Sequence, residues 1–272
     1  MIHKKTKSTK SIGLIVSGRI ELQALLSYVS VVKKLHLSTY PVYYFNLNGY
    51  DVFVVLTGYK LIDITEATTL LIKKISPQLI ISYGTGTAID TEMKTGDVLY
   101  ANSVTMLENN VYDQYRVIST LRQDIRRFVF DIIFGYKARM FVGTIVTVNN
   151  NDTLKNYDKL KFTHPVLDLE MLRIAQIAGS FQITALALRG ITDNIAIGGI
   201  KNLNTVLNFT WHYDRLKAIR IILQHPLWVL EIPHFLHRKY KASKHVASSL
   251  YSLLNVLSID SVCEADDMEY RI

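Results

Sequence analysis

Apolar runs of strand length alternate with stretches of helical periodicity over residues 11–209. Ser11 to Val16 is a continuous apolar run, followed by the Ser17-Gly18 turn and a helical pattern through Leu22, Leu25 and Leu26. Val42 to Phe45 and Tyr50 to Leu56 are rich in β-branched and aromatic residues, and Asn48-Gly49 between them predicts a hairpin. Thr65 to Ile75 has helical spacing that stops at Ser76-Pro77, and the buried strand Gln78 to Ser82 leads into an expected glycine loop, Gly84-Thr85-Gly86-Thr87. Further strands are predicted at Asp97 to Ala101, Phe141 to Val148 and Ile183 to Leu188, the last ending at Arg189-Gly190, with a helix after Pro165 through Leu172, Ile174, Ile177 and Ala178. This order predicts a single α/β domain with a central mixed β-sheet flanked by helices.

Composition divides the 272 residues further. Residues 1–10 form a basic tail carrying Lys4, Lys5, Lys7 and Lys10, and no export signal follows it, because the apolar stretch Ile12 to Val16 soon meets Arg19 and Glu21. Residues 210–257 read as a basic, helical C-terminal extension interrupted by Pro226 and Pro233, and residues 258–272 as an acidic tail. The single cysteine, Cys263, excludes an intrachain disulfide and fits a reducing, cytoplasmic setting. The net charge of +8 lacks the interleaved aromatic and basic residues of a nucleic-acid module, so no nucleic-acid partner is expected. The histidines show no metal-ligand spacing, so no metal is expected.

Three acidic residues lie where an open α/β sheet gathers ligands, at the carboxyl ends of strands: Glu21 after the first strand, Glu170 at a helix start and Asp193 just beyond a strand. Each is also an ordinary surface carboxylate if taken alone. In order, Ile12-Gly13-Leu14-Ile15 with Glu21, Tyr83-Gly84-Thr85-Gly86-Thr87, Thr95-Gly96-Asp97-Val98, Leu167-Asp168-Leu169-Glu170 and Arg189-Gly190-Ile191-Thr192-Asp193 resemble the nucleoside phosphorylase and nucleosidase superfamily. The resemblance is to methylthioadenosine and S-adenosylhomocysteine nucleosidases above all.

It implies a homodimeric enzyme without metal or organic cofactor that cleaves the N-glycosidic bond of a purine nucleoside. Asp193 matches the general acid at purine N7, Glu170 the carboxylate on the ribose hydroxyls, and Glu21 the base that activates water. Thr85 and Arg189 match positions that help place the nucleophile, and Leu169 replaces a methionine under the sugar. Glu21 favours hydrolysis; Arg19, in the same turn, is the rival candidate for a phosphate clamp with Arg189, or a solvated turn residue.

Thr147-Val148-Asn149-Asn150-Asn151 departs from the family's serine, glycine and aspartate followed by a ring-stacking aromatic, which leaves the purine stack open, and with Gly84-Thr85-Gly86-Thr87-Ala88 and the bulky Met171-Leu172 it allows a substrate other than methylthioadenosine. Residues 223–245, with Trp228, Phe235, Arg238, Lys239, Lys241 and Lys244, have the mixture of an interfacial helix and loosely resemble the tails of hopanoid-associated phosphorylases. Helices packed on the domain or on a second subunit are the alternative to this peripheral membrane contact. A phosphorylase, or an inactive nucleoside-binding or membrane-associated protein, is the alternative function.

Overall fold

The computed structural model describes residues 10–108, 111–117, 120–121, 138–148, 162–195, 232–257 and 262–263. Strand β1 (Ser11–Val16) lies between β4 (Tyr50–Leu56) and β5 (Leu79–Ala88), parallel to both. Its alternate side chains face opposite layers. Ile12, Leu14 and Val16 join a core with Leu22 and Leu25 of helix α1 (Arg19–Leu26), while Ile15 packs with the layer of α2 (Leu61–Ile75) and α3 (Met171–Ser180). Helix α2 buries Ile64, Ala67, Thr68, Leu71 and Ile72, one stripe at helical spacing, and ends where Ser76 adopts a left-handed conformation before Pro77.

The sheet order from its outer edge is β2 (Lys33–Leu37), β3 (Tyr40–Leu47), β4, β1, β5, β11 (Thr184–Asn194), β6 (Val98–Glu108), β9 (Met140–Val148) and β10 (Val166–Asp168). Strand β10 also pairs antiparallel with β5, so β5, β11, β6, β9 and β10 close into a ring. Strand β7 (Val111–Val117) pairs with β6, and β8 (Thr120–Leu121) with β12 (Val262–Cys263). The mixed sheet expected from the sequence is present. Asn48 and Gly49, both at positive φ, make the β3–β4 turn.

Several boundaries differ from the sequence-based expectation. Gly84-Thr85-Gly86-Thr87 is not a loop: β5 continues through it, because β11 and β10 supply pairing partners on both sides. Strand β11 likewise runs past Arg189-Gly190 to Asn194, with a register shift between Ile191 and Asp193. Strands β2 and β10 have no apolar run long enough to announce them.

The expected C-terminal helix is α4 (Ile232–Val256), and Pro233 opens its first turn rather than interrupting it. Helix α4 packs into the domain. Val246, Ala247, Leu250, Leu253 and Leu254 join the core shared by α1 and β1, and a Cβ at Gly190 would collide with the Ala242 carbonyl, so strand and helix backbones meet there. Among the described residues no helix is long and apolar enough to cross a membrane. Residues 1–9, Asn149–Asn151, 196–231 with Trp228 and Pro226, and the acidic end 264–272 lie outside the described residues.

Candidate active site

Because β1, β4, β5 and β11 are mutually parallel, their carboxyl ends share one side of the sheet, and each delivers a polar group there. The turn after β1 brings Ser17, and the first turn of α1 brings Glu21. Residues after β4 bring Tyr59; β5 carries Ser82, Tyr83 and Thr85; β11 carries Arg189 and Asp193. Strand β10 leads into Asp168 and Glu170, the latter just before α3. Ordinary surface positions are excluded for the three expected carboxylates: Glu21, Glu170 and Asp193 are 2%, 6% and 8% exposed.

Burying this many charges requires pairing, and the pairs are present. Arg189, fully buried, donates to Asp168 Oδ2 at 2.7 Å, Glu170 Oε1 at 3.2 Å and Ser82 Oγ at 2.9 Å. Its guanidinium therefore holds Asp168 and Glu170 together. Asp168 is itself fixed by Thr147 Oγ1 at 2.7 Å and by the Met171 amide at 3.0 Å at the start of α3. Glu170 Oε2 accepts from Ser17 Oγ. Thr85 Oγ1 donates to Glu21 Oε1 at 2.9 Å. Glu21 Oε2 and the Tyr83 hydroxyl are buried without a hydrogen-bond partner among the described residues, so a water or a substrate hydroxyl would satisfy them. Gly18 has to be glycine here, since a Cβ would collide with Glu21 Oε2 and the Tyr59 hydroxyl.

Two site residues come from α4. Lys239 Nζ is 3.7 Å from Glu21 Oε1, donates to the Tyr59 hydroxyl at 3.2 Å and lies 5.3 Å from the centre of that ring. Arg238 Nε is 2.9 Å from Asp193 Oδ1. The interfacial reading of residues 223–245 groups both with Lys241 and Lys244. The signal that separates them is spacing: Phe235, Lys239, Ala242 and Val246 form one buried stripe, and a lysine within such a stripe needs a buried partner. Ser17, Tyr59 and Asp168 are further site residues that sequence reasoning misses. Short local motifs do not reveal them, since their partners are distant in sequence.

Other expected residues are placed as follows. Arg19 is exposed at the start of α1. Leu169 is half-buried and packs against Ile89, Val146, Val148 and Leu167. His164, at positive φ, pairs with Asp90 Oδ2 at 2.8 Å and meets the Phe141 ring edge-on.

Burial raises the Glu170 carboxyl from 4.5 to about 7; Arg189 opposes the shift, Asp168 and Glu21 add to it, and the Ser17 hydrogen bond lowers it. Burial, then the charge of Glu21, pushes the Tyr83 hydroxyl well above its ordinary value, and Tyr59 is raised by burial and by Glu21 and Glu170. A carboxyl raised in the folded state favours folding when protonated. Its contribution is fully present below about pH 4.5 and is lost as pH rises to about 7, amounting to about 3 kcal/mol. Thermal melts from pH 5 to 8 should therefore show a smaller loss of stability with rising pH in Glu170→Gln than in the wild type. Equal slopes would refute the shift.

A family model described as Phosphorylase superfamily matches residues 11–218, most of the chain. The chain belongs to the phosphorylase superfamily. Curated relatives include the 5′-methylthioadenosine/S-adenosylhomocysteine nucleosidase of Buchnera aphidicola, 23% identical over 226 residues that cover 78% of this chain and 97% of that protein. The enzyme of the same name from Staphylococcus epidermidis is 23% identical, with 67% of this chain and 86% of that protein covered. Among solved structures, the Neisseria meningitidis nucleosidase in complex with methylthio-immucillin-A has a TM-score of 0.68 at 14% identity, covering 91% of this chain and all of that one. Futalosine hydrolase of Helicobacter pylori has a TM-score of 0.66 at 13% identity, covering 92% and 99%. These likenesses establish the nucleoside phosphorylase-like fold.

Proposed function

We propose that the protein is an N-glycosyl hydrolase that splits a 5′-substituted adenosine-type nucleoside into adenine and the free sugar. The observation that carries this reading is the burial of Glu21, Glu170 and Asp193 at one end of a parallel sheet, each with a separate polar neighbour. The relatives named as methylthioadenosine/S-adenosylhomocysteine nucleosidases support the substrate class.

In this reading Asp193 hydrogen-bonds and protonates purine N7 as the C1′–N9 bond breaks. Glu170 accepts from the ribose hydroxyls, and its negative charge favours the oxocarbenium-like transition state. Glu21 takes a proton from the water that attacks C1′. Thr85 orients Glu21, and Arg189, clamped by Asp168, orients Glu170. Leu169 packs beside the sugar.

Phosphorolysis is the second reading, and the superfamily description alone favours it. Charge pairing counts against it. Among the described residues, Arg189, Lys239 and Arg238 each already face a carboxylate and Arg19 is exposed, so a dianionic phosphate would have to displace an acidic partner of these cations. A homodimeric state and a cytoplasmic location accompany the nucleosidase reading. Membrane contact through residues 223–245 is its weaker companion: Leu236 and Tyr240 are exposed, yet Phe235, Lys239 and Ala242 turn into the domain.

Incubation with 5′-methylthioadenosine or S-adenosylhomocysteine, with and without phosphate, separates the two reactions. Adenine release at the same rate in phosphate-free buffer, with free sugar as the co-product, is expected. Release that requires phosphate and yields a sugar 1-phosphate would overturn hydrolysis.

A further inference from the structure

Helix α4 lies beyond residue 218, where the family match ends, yet it places two consecutive cations on the two carboxylates assigned to proton transfer. Successive helical residues point about 100° apart, so Arg238 and Lys239 diverge and reach Asp193 and Glu21 separately. Their settings differ. The Lys239 side chain is 6% exposed and held by the hydroxyl and ring of Tyr59, whereas that of Arg238 is 27% exposed. Lys239 cannot leave without exposing Glu21 and breaking its Tyr59 contacts.

Resting on the nucleosidase reading, we infer that Lys239 is a positioning residue that holds Glu21 in place for the attacking water. Removing Lys239 should slow turnover by misplacing Glu21.

A double-mutant cycle tests this role. Lys239→Met is expected to lower kcat at least thirtyfold with KM changed less than threefold, Lys239→Arg to recover most of that loss, and Lys239→Met added to Glu21→Gln to cost less than a further threefold. Damage to the fold would instead reduce both backgrounds equally, and that result would overturn the role. If Lys239→Met fails to fold, Tyr59→Phe, which removes only the hydroxyl, should lower kcat severalfold in the wild-type background and not in Glu21→Gln; equal losses would overturn the role again. The wild type in the same assay separates the two levels. No adenine release from any 5′-substituted adenosine would overturn the nucleosidase reading and the inference with it, whereas normal wild-type release with equal losses in both backgrounds would overturn the inference alone.

Discussion

Asp193→Asn is expected to lower kcat on an adenosine-type nucleoside by at least about a hundredfold and by up to about ten-thousandfold, the range of a positioned proton donor, or about 3 to 5 kcal/mol in the barrier. The size of the loss depends on the leaving group. Adenine leaves C1′ as a poor anion unless N7 receives a proton or a strong hydrogen bond, and an amide has no acidic proton to give at neutral pH. The substitution keeps the side-chain shape, so Ile191, Thr192 and the end of β11 should stay in register with β5. A ribosyl substrate with a 4-nitrophenolate leaving group needs no such proton. On that substrate Asp193→Asn should lose less than tenfold, and equal losses on both substrates would refute the acid role.

Glu21→Gln is the second large effect, with adenine release again reduced by about a hundredfold or more. Glutamine keeps an oxygen for the Thr85 hydroxyl but cannot accept the proton of the attacking water. The substitution leaves the contacts proposed for Asp193 with the purine and for Glu170 with the ribose untouched, so KM should change little. The variant also leaves the Lys239 ammonium facing a neutral amide, which favours a small anion beside it. Azide should therefore restore part of the rate, attacking C1′ as the bond to adenine breaks and giving a ribosyl azide. A variant within tenfold of wild-type turnover would refute the base role.

Both predictions concern residues that the sequence singles out, and the reason is local. Glu21, Glu170 and Asp193 each follow a short signature near a strand end, so their identity and approximate place can be inferred from one stretch of chain. What encloses them cannot. Asp168 acquires its role from Arg189 and Thr147, each about twenty residues away in sequence and next to it only because β10 crosses between β5 and β9. Lys239 reads as one of several basic residues until α4 is docked, when the tight approach of Gly190 to Ala242 sets which face turns inward. The glycine-containing end of β5 reads as a loop for a related reason. Glycine weakens a strand's own propensity, but pairing with β11 and β10 supplies what propensity lacks.

The charge balance links these residues into one unit. Four carboxylates, Glu21, Asp168, Glu170 and Asp193, are buried with Arg189 and Lys239 and with the partly exposed Arg238. Unpaired, so many buried negative charges would destabilise the fold. Even with these partners, burial holds the Glu170 carboxyl up at about 7. A ribose that donates two hydroxyl hydrogen bonds to Glu170 favours its charged form, so substrate binding and ionisation at this position reinforce each other.

The central claim is that one nucleoside spans the three carboxylates, and the structure of Asp193→Asn bound to 5′-methylthioadenosine tests it most directly. The account predicts the purine N7 within hydrogen-bonding distance of the amide introduced at position 193, the ribose hydroxyls on Glu170, and a water between Glu21 and C1′. A nucleoside bound with its ribose away from Glu170, or with its purine remote from position 193, would contradict it.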